Sequence, residues 1–364
     1  MTTLIETTPK MDLVMQDIAP LVEALRASHT IYSPLLQRRE QREAAHTSLQ
    51  GLLATLPRKS IEPMVLAVEG VAPKAVRAMQ SFISEGQGND ARLLHQHWKE
   101  VEVDLGAADG VLMVDGSAFP KQGSHAVGVT RQYWGELGKR ANGQAGVFVG
   151  SVSSQGDTVL DRRVYVPTAW RTDDAYAARR TPCGLPPDLP CKPTPALAQE
   201  RRAAVVQSQA LRCRWVVADE AFGDHPSFLE GVAGLPAEAW TRQTITEGSQ
   251  GPRVAECATL RVVAVREALP GPDVWLVRRR HIETGEWKTS RCNAPVDTAV
   301  ETPGRMSGLR WPIDTCCEDS TQLLGMGDDE VRSWTGWHHH MTLVILAHFF
   351  VVRMSVRFKK KPPQ

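Results

Sequence analysis

The stretch "VLMVDGSAFPKQG", residues 111–123, decides the fold. Val111, Leu112, Met113 and Val114 run straight into Asp115. Gly116, Ser117, Pro120 and Gly123 then break the apolar run. A short apolar run bounded by turn formers predicts a buried strand. In an open α/β sheet, functional groups collect at the carboxyl ends of strands, where Asp115 would stand. The pattern recurs at 214–224, "RWVVADEAFGD", where a second branched run ends on Asp219. Two such acids at one sheet edge, joined by a third from a helix, would suit Mg²⁺, which takes hard oxygen ligands and keeps several waters. Paired ions of that kind activate the attacking oxygen and stabilise the leaving oxygen of a phosphodiester. Aspartates at strand ends also cap turns and helices, so spacing alone leaves both readings open.

Outward from this stretch the texture divides the chain. Residues 11–104 carry apolar spacings of three and four, as in "ARLLHQHWKEVEVDL", with Gly and Pro between them. This predicts an N-terminal helical domain over 1–105. "GAADG" ends it, and strand texture follows at 111–115, 146–152 and 159–166. A proline-rich loop, a helix through "ALAQERRAAVVQSQAL" and the strand ending at Asp219 complete a first central part, 106–233. Residues 234–302 read as strands and turns, closing on a hairpin with "ETGE" at its tip. Helical texture returns over 303–364. The order is that of an α/β core interrupted by a β-rich insertion and completed by C-terminal helices.

Bulk properties narrow the function. Forty-two Lys and Arg stand against 41 Asp and Glu, a net charge of +1. Any contact with nucleic acid must therefore be a local patch, unlike the basic chains held on DNA by charge alone. The tail "RMSVRFKKKPPQ" and "RRRH" at 278–281 are such patches, and each reads equally as a solvated basic segment. Seven cysteines without a CxxC argue against a disulfide framework and against a zinc ribbon. The run "MTLVILAHFFVVRM" is shorter than a bilayer span and reads as a buried helix. No signal peptide is visible, so the expectation is a cytoplasmic protein without a membrane partner. "HHH" at 338–340 makes a poor chelate, because consecutive helical residues point in different directions.

Several blocks together carry a resemblance. "DGSAFPKQG", "HAVGVTRQYWGELGKRANGQAGVFV", "DRRVYVPTAWRTDD", "VVADEAFGD", "RRRHIETGEWK", "GLRWPID" and "VRSWTGWHHHMTLVILAHFF" occur in the order found in bacterial insertion-sequence transposases of the DDE type. The likeness extends to "LPRKSIEPMVLAVEGVAP" near the N-terminus and spans nearly all of the chain. It implies an RNase H-like mixed sheet with the β-rich insertion, double-stranded DNA as partner, and Mg²⁺ or Mn²⁺ as cofactor; a homodimer is compatible with it. It implies catalytic and metal-holding roles for Asp115, Asp219 and Asp314. Glu318, four residues after Asp314 and so on the same helical face, reads as a further ligand or as a plain surface acid. Lys121, Arg278, Arg279, Arg280 and Arg310 are the implied DNA contacts.

The chain departs from the family at its third acid. The family's R-W-x-I-E helix ends here on Asp314, one methylene shorter, and Thr321 stands where a lysine would meet a phosphate. Three functions are therefore open. The first is a DNA-cutting and DNA-joining transposase or its domesticated descendant. The second is a DNA-binding regulator that has lost chemistry. The third is an enzyme reusing the acidic pocket on a small molecule.

Overall fold

The computed structural model describes residues 15–86, 90–134, 139–219, 241–248, 251–266, 269–282, 285, 287–299, 301–309 and 311–359. Five helices come first: α1 (Met15–Tyr32), α2 (Arg39–Leu53), α3 (Ile61–Glu69), α4 (Pro73–Glu85) and α5 (Asp90–Leu105). Their limits follow from local chemistry. Pro73 opens α4, where its missing N–H costs nothing, and Gly70 ends α3 with a φ of 71°. Helix α5 buries Leu93, Leu94, His97, Trp98, Val101 and Leu105, a stripe at helical spacing.

The central sheet contains β1 (Val111–Pro120), β2 (Thr130–Trp134), β3 (Lys139–Ser153), β4 (Gly156–Val164) and β5 (Trp215–Ala218). Its order is β2-β3-β1-β5, with β4 also paired to β3. Strand β1 runs antiparallel to β3 and parallel to β5, the mixed pairing of an RNase H-like sheet. Short helices α6 (Ala169–Thr172) and α7 (Ala177–Arg180) lead to α8 (Thr194–Ser208), which packs on β1, β3 and β4 before the chain enters β5.

After its fifth strand the sheet is interrupted, as the sequence predicts. A four-stranded antiparallel sheet follows in chain order: β6 (Thr241–Gly248), β7 (Gly251–Arg266), β8 (Leu269–His281) and β9 (Trp287–Cys292). Helices α9 (Glu301–Gly308), α10 (Trp311–Leu324) and α11 (Trp334–Lys359) complete the described chain. Strand β2 is not anticipated by the sequence pattern. "TRQYW" has no aliphatic alternation, and it forms because β3 extends past β4 and offers Lys139–Gly143 as a partner edge.

One apolar cluster joins the helices of residues 15–105, the central sheet, α8, α10 and α11. The second sheet has a small core of its own, Trp275, Val277 and Ala294, which meets Trp215 of β5. Among the described residues, α11 is the one helix long and apolar enough to cross a membrane. Most of its apolar window is buried here, against β4, α2, α4 and α5.

The three consecutive histidines separate as their spacing predicts. His338 meets the Trp334 carbonyl, His339 the Ile83 carbonyl and His340 the Gly325 carbonyl.

Buried polar groups tie these layers together. The Arg162 guanidinium, 5% exposed, donates to Asp90 of α5 and, on α11, to the His338 carbonyl and the Thr342 hydroxyl. His97 of α5 bonds the Val159 carbonyl at 2.8 Å, and its ring meets Phe349 edge-on. His348 of α11 pairs with the Thr158 hydroxyl at 3.1 Å. Burial pushes His97 and His348 from an ordinary 6.5 down to about 4.

Above pH 6.5 both rings are neutral, folded or unfolded, and they add no pH dependence. Between 6.5 and 4 only the unfolded chain takes up these protons, so stability falls with pH. By pH 5 each ring accounts for a loss of about 2 kcal/mol. Urea unfolding at pH 7.5 and pH 5.0 should therefore give a clearly lower midpoint at the acid value. Equal midpoints would mean that these rings are not held neutral.

Candidate active site

Four residues of β1 and four of β5 pair in parallel, Val111 with Trp215 through Val114 with Ala218. The next residue on each strand is an aspartate, Asp115 on β1 and Asp219 after β5. Parallel neighbours lie about 4.8 Å apart, so this register brings the two carboxylate-bearing positions side by side. Val111 to Val114 are fully buried, Asp115 is half-buried and Gly116 is exposed. The run thus surfaces at the acid. The Gly116 N–H donates to Asp115 Oδ1 at 2.7 Å.

Alternation along the sheet then fixes which face carries Asp115. Its partner on β3 is Phe148, whose own partner on β4 is Arg162. Directly opposed residues share a face. Phe148 meets the Trp337 ring of α11 at 6.4 Å, and Arg162 reaches α11 as described, so Asp115 belongs to the α11 face. Helix α10 packs on the same face. The fully buried Ile313 lies within van der Waals reach of the place where a side chain on Gly150 would stand, beside Met113. Met113 is two residues before Asp115 and faces the same way.

Asp314 follows Ile313 in the first turn of α10. Its nearness to Asp115 is felt at Cys317, one turn further along. Burial pushes the Cys317 thiol far up, and the charges of Asp115 and Asp314 push it further. One sulfur therefore lies within electrostatic reach of both acids. Sequence reading missed it, although its spacing of three from Asp314 puts it on the same side of a helix.

Asp115, Asp219 and Asp314 supply hard oxygen donors of the kind Mg²⁺ and Mn²⁺ take, so the donor set fits such an ion. The cage is not closed. Among the described residues no group of three His, Cys, Asp or Glu side chains is positioned to hold a metal.

The remaining expected residues separate. Glu318 is exposed and accepts a hydrogen bond from Gln322 at 2.8 Å. The Thr321 hydroxyl turns back to the Cys317 carbonyl within its own helix, also at 2.8 Å. Lys121, expected at DNA, is engaged inside the fold. Its ammonium lies 2.8 Å from both the Asp329 carbonyl and Oδ1, and its side chain is only 11% exposed.

On β8, Arg278 and Arg280 are exposed and share one face. Arg279 points to the other face, with the buried Trp275 and Val277, and is opposed to Cys257. Arg291 of β9, opposed to Leu276, adds a further exposed charge to the Arg278 face, and the sequence reading did not single it out. Arg310 lies outside the described residues.

A second missed residue holds α10. The buried Lys59 ammonium donates to the Leu52 carbonyl at the end of α2 and to the Leu323 carbonyl at the end of α10. Its backbone N–H donates to Asp328 at 2.8 Å. A cation at two helix C-termini meets the negative ends of both dipoles. Burial lowers the proton affinity of Lys59, while Asp328 raises it.

Lys59→Met keeps the stem and removes the charge. It should lower the unfolding free energy by about 2 kcal/mol, the scale of charged hydrogen bonds lost from buried carbonyls. Denaturant melts measure this directly, and a loss below about 0.5 kcal/mol, the range of neutral surface changes, would remove Lys59 from the role.

A family model described as DDE superfamily endonuclease matches residues 32–247. The match covers more than half of the chain; it includes Asp115 and Asp219 and ends before Asp314. No curated protein matches the chain. The chain belongs to the DDE superfamily of endonucleases.

Proposed function

We propose that this DDE superfamily endonuclease is a transposase, or a domesticated descendant of one. It would bind duplex DNA and cut and join phosphodiesters at Asp115, Asp219 and Asp314. The parallel register of β1 and β5 carries the reading, because it sets two acids on neighbouring strands beneath a helix whose first turn holds a third. When bound, divalent ions supply charge stabilisation for the attacking and leaving oxygens.

The chain's own work is positioning. Asp115 is held by a rigid, buried strand and by the Gly116 N–H, so its carboxylate needs little ordering on use. Asp219 emerges where β5 ends, open to the same edge. Asp314, in the first turn of α10, would supply the third carboxylate, one methylene short of the glutamate usual at this position.

Arg278, Arg280 and Arg291 offer the DNA backbone planar donor forks that suit phosphate, and contacts of this kind weaken as salt rises. Lys121, bound to Asp329, drops out of this set in our reading. Glu318, exposed and bonded to Gln322, drops out of the ligand set.

One observation favours a second reading, a DNA-binding regulator without chemistry. Thr321, at the position of the family's lysine, is turned into its own helix and offers a phosphate no charge.

Nicking of supercoiled plasmid separates the two. Asp115→Asn should abolish cleavage and leave DNA affinity in place. It should melt no lower than the parent, since it relieves like-charge contact. Cleavage that survives this change would remove Asp115 from catalysis.

The third acid gives a separate test. Mn²⁺ should support at least as much nicking as Mg²⁺, because Mg²⁺ demands near-ideal octahedral geometry and Asp314 is short. Asp314→Glu combined with Thr321→Lys should then raise the rate about tenfold, ~1.4 kcal/mol of barrier. No nicking by the parent and none by this double variant would favour the regulator.

A further inference from the structure

A cleft between β4 and α8 lies away from these acids. It encloses about 460 Å³, within the range of small-ligand sites, and is lined by Arg163, Leu197, Glu200, Arg201 and Lys192 among others. Arg163 is opposed to Val147 in the β3–β4 pairing, one residue out of phase with the Arg162–Phe148 pair. It therefore projects from the face opposite Asp115, toward α8, which supplies Leu197, Glu200 and Arg201.

Charge in the cleft is unbalanced. Asp161, almost wholly buried, lies 3.8 Å from Arg201 and 3.6 Å from Arg162. Arg162 is also paired with Asp90, and Lys192 is paired with Glu200. Four cations thus share three carboxylates: Arg201 holds Asp161, while Arg163, the other guanidinium that lines the opening, enters none of these pairs. The Nε atoms of both are sealed from solvent and have no hydrogen-bond partner. Arg163 is also held in place, its guanidinium 4.7 Å from the centre of the Trp334 ring. Burial and then the charge of Arg201 lower the proton affinity of Arg163, with Arg162 adding to this, while Glu200 and Asp161 offset part of it. Placing two cations this way is costly unless an anion sits between them.

We propose that this cleft is a binding site for a phosphate-class oxyanion, held between Arg163 and Arg201. Guanidinium pairs match that ligand because each presents a planar donor fork to its oxygens. The site is independent of the carboxylate site and does not rest on the nuclease reading. Small phosphorylated molecules and the nucleic-acid backbone both carry this group, and the two sources are separable.

Pyrophosphate is the probe. Isothermal titration of the full chain in EDTA, with ionic strength matched by chloride, should give saturable binding. Arg201→Gln should weaken it at least tenfold. Arg201 is partly exposed, at 27% of its side chain, so this variant should fold, with circular dichroism as the check. Arg163→Gln should act in the same direction, but it removes a stacked and largely buried group. Arg278→Glu combined with Arg280→Glu should leave pyrophosphate binding unchanged. Absence of saturable binding, equal affinity in Arg201→Gln, or loss of binding in the β8 double variant would each overturn the proposal. Added duplex DNA identifies the source: competition with pyrophosphate assigns the cleft to backbone phosphate, and simultaneous binding assigns it to a small phosphate.

Discussion

Four parallel backbone pairs between β1 and β5 are the constraint on which the rest of this fold depends. Strand β5 is short, and Trp215 to Ala218 are each only half-buried, so it contributes little apolar area of its own. Its importance lies in register. Side chains alternate across a strand, and a slip of one residue would turn Asp219 away from Asp115 while driving another residue into the edge. The register is held by more than the ladder. The Arg214 N–H bonds the Gly110 carbonyl just before the paired stretch, and Trp215 packs into both apolar clusters. The second sheet thus leans on the strand that fixes the acids.

Polar groups, more than apolar area, determine how the covering helices sit. Arg162 joins α5, β4 and α11 through charged and neutral acceptors at once. Lys59 joins the ends of α2 and α10. Removing one partner from such a buried set leaves an uncompensated charge, which is far costlier than losing a surface pair. The helix bearing Asp314 is therefore anchored at its far end by a residue more than 250 positions earlier in the chain.

Much of this was legible from the residues. The runs before Asp115 and Asp219 announce strands because each is short, apolar and bounded by turn formers, although the second proves only half-buried. The β-rich insertion was legible from its alternation and turn residues, and the separate fates of His338, His339 and His340 follow from helical geometry alone. What was not legible depends on long-range partners. Lys121, two residues before Gly123, reads from its own stretch as a phosphate contact, and nothing there tells of Asp329, 208 positions away, to which it is bound. "DRRV" falls within the strand texture of 159–166, but the pattern does not tell that Asp161 and Arg162 are buried, which their counter-charges allow. Strand β2 owes its existence to a partner edge and to nothing in its own pattern.

Helix α11 has a consequence for how the protein is made. The face of the sheet that carries Phe148 and Asp115 is covered by residues 334–359, and the third acid belongs to residues 311–324. All of these come after the insertion. A nascent chain that has completed both strand carboxylates has therefore made neither the third acid nor the apolar lid above them. Synthesis from the N-terminus leaves a wide aliphatic surface waiting for its partner, the condition in which growing chains recruit chaperones or aggregate. Asp314, the proposed third ligand, arrives only with these last helices, so a truncated product carries the exposed sheet without it.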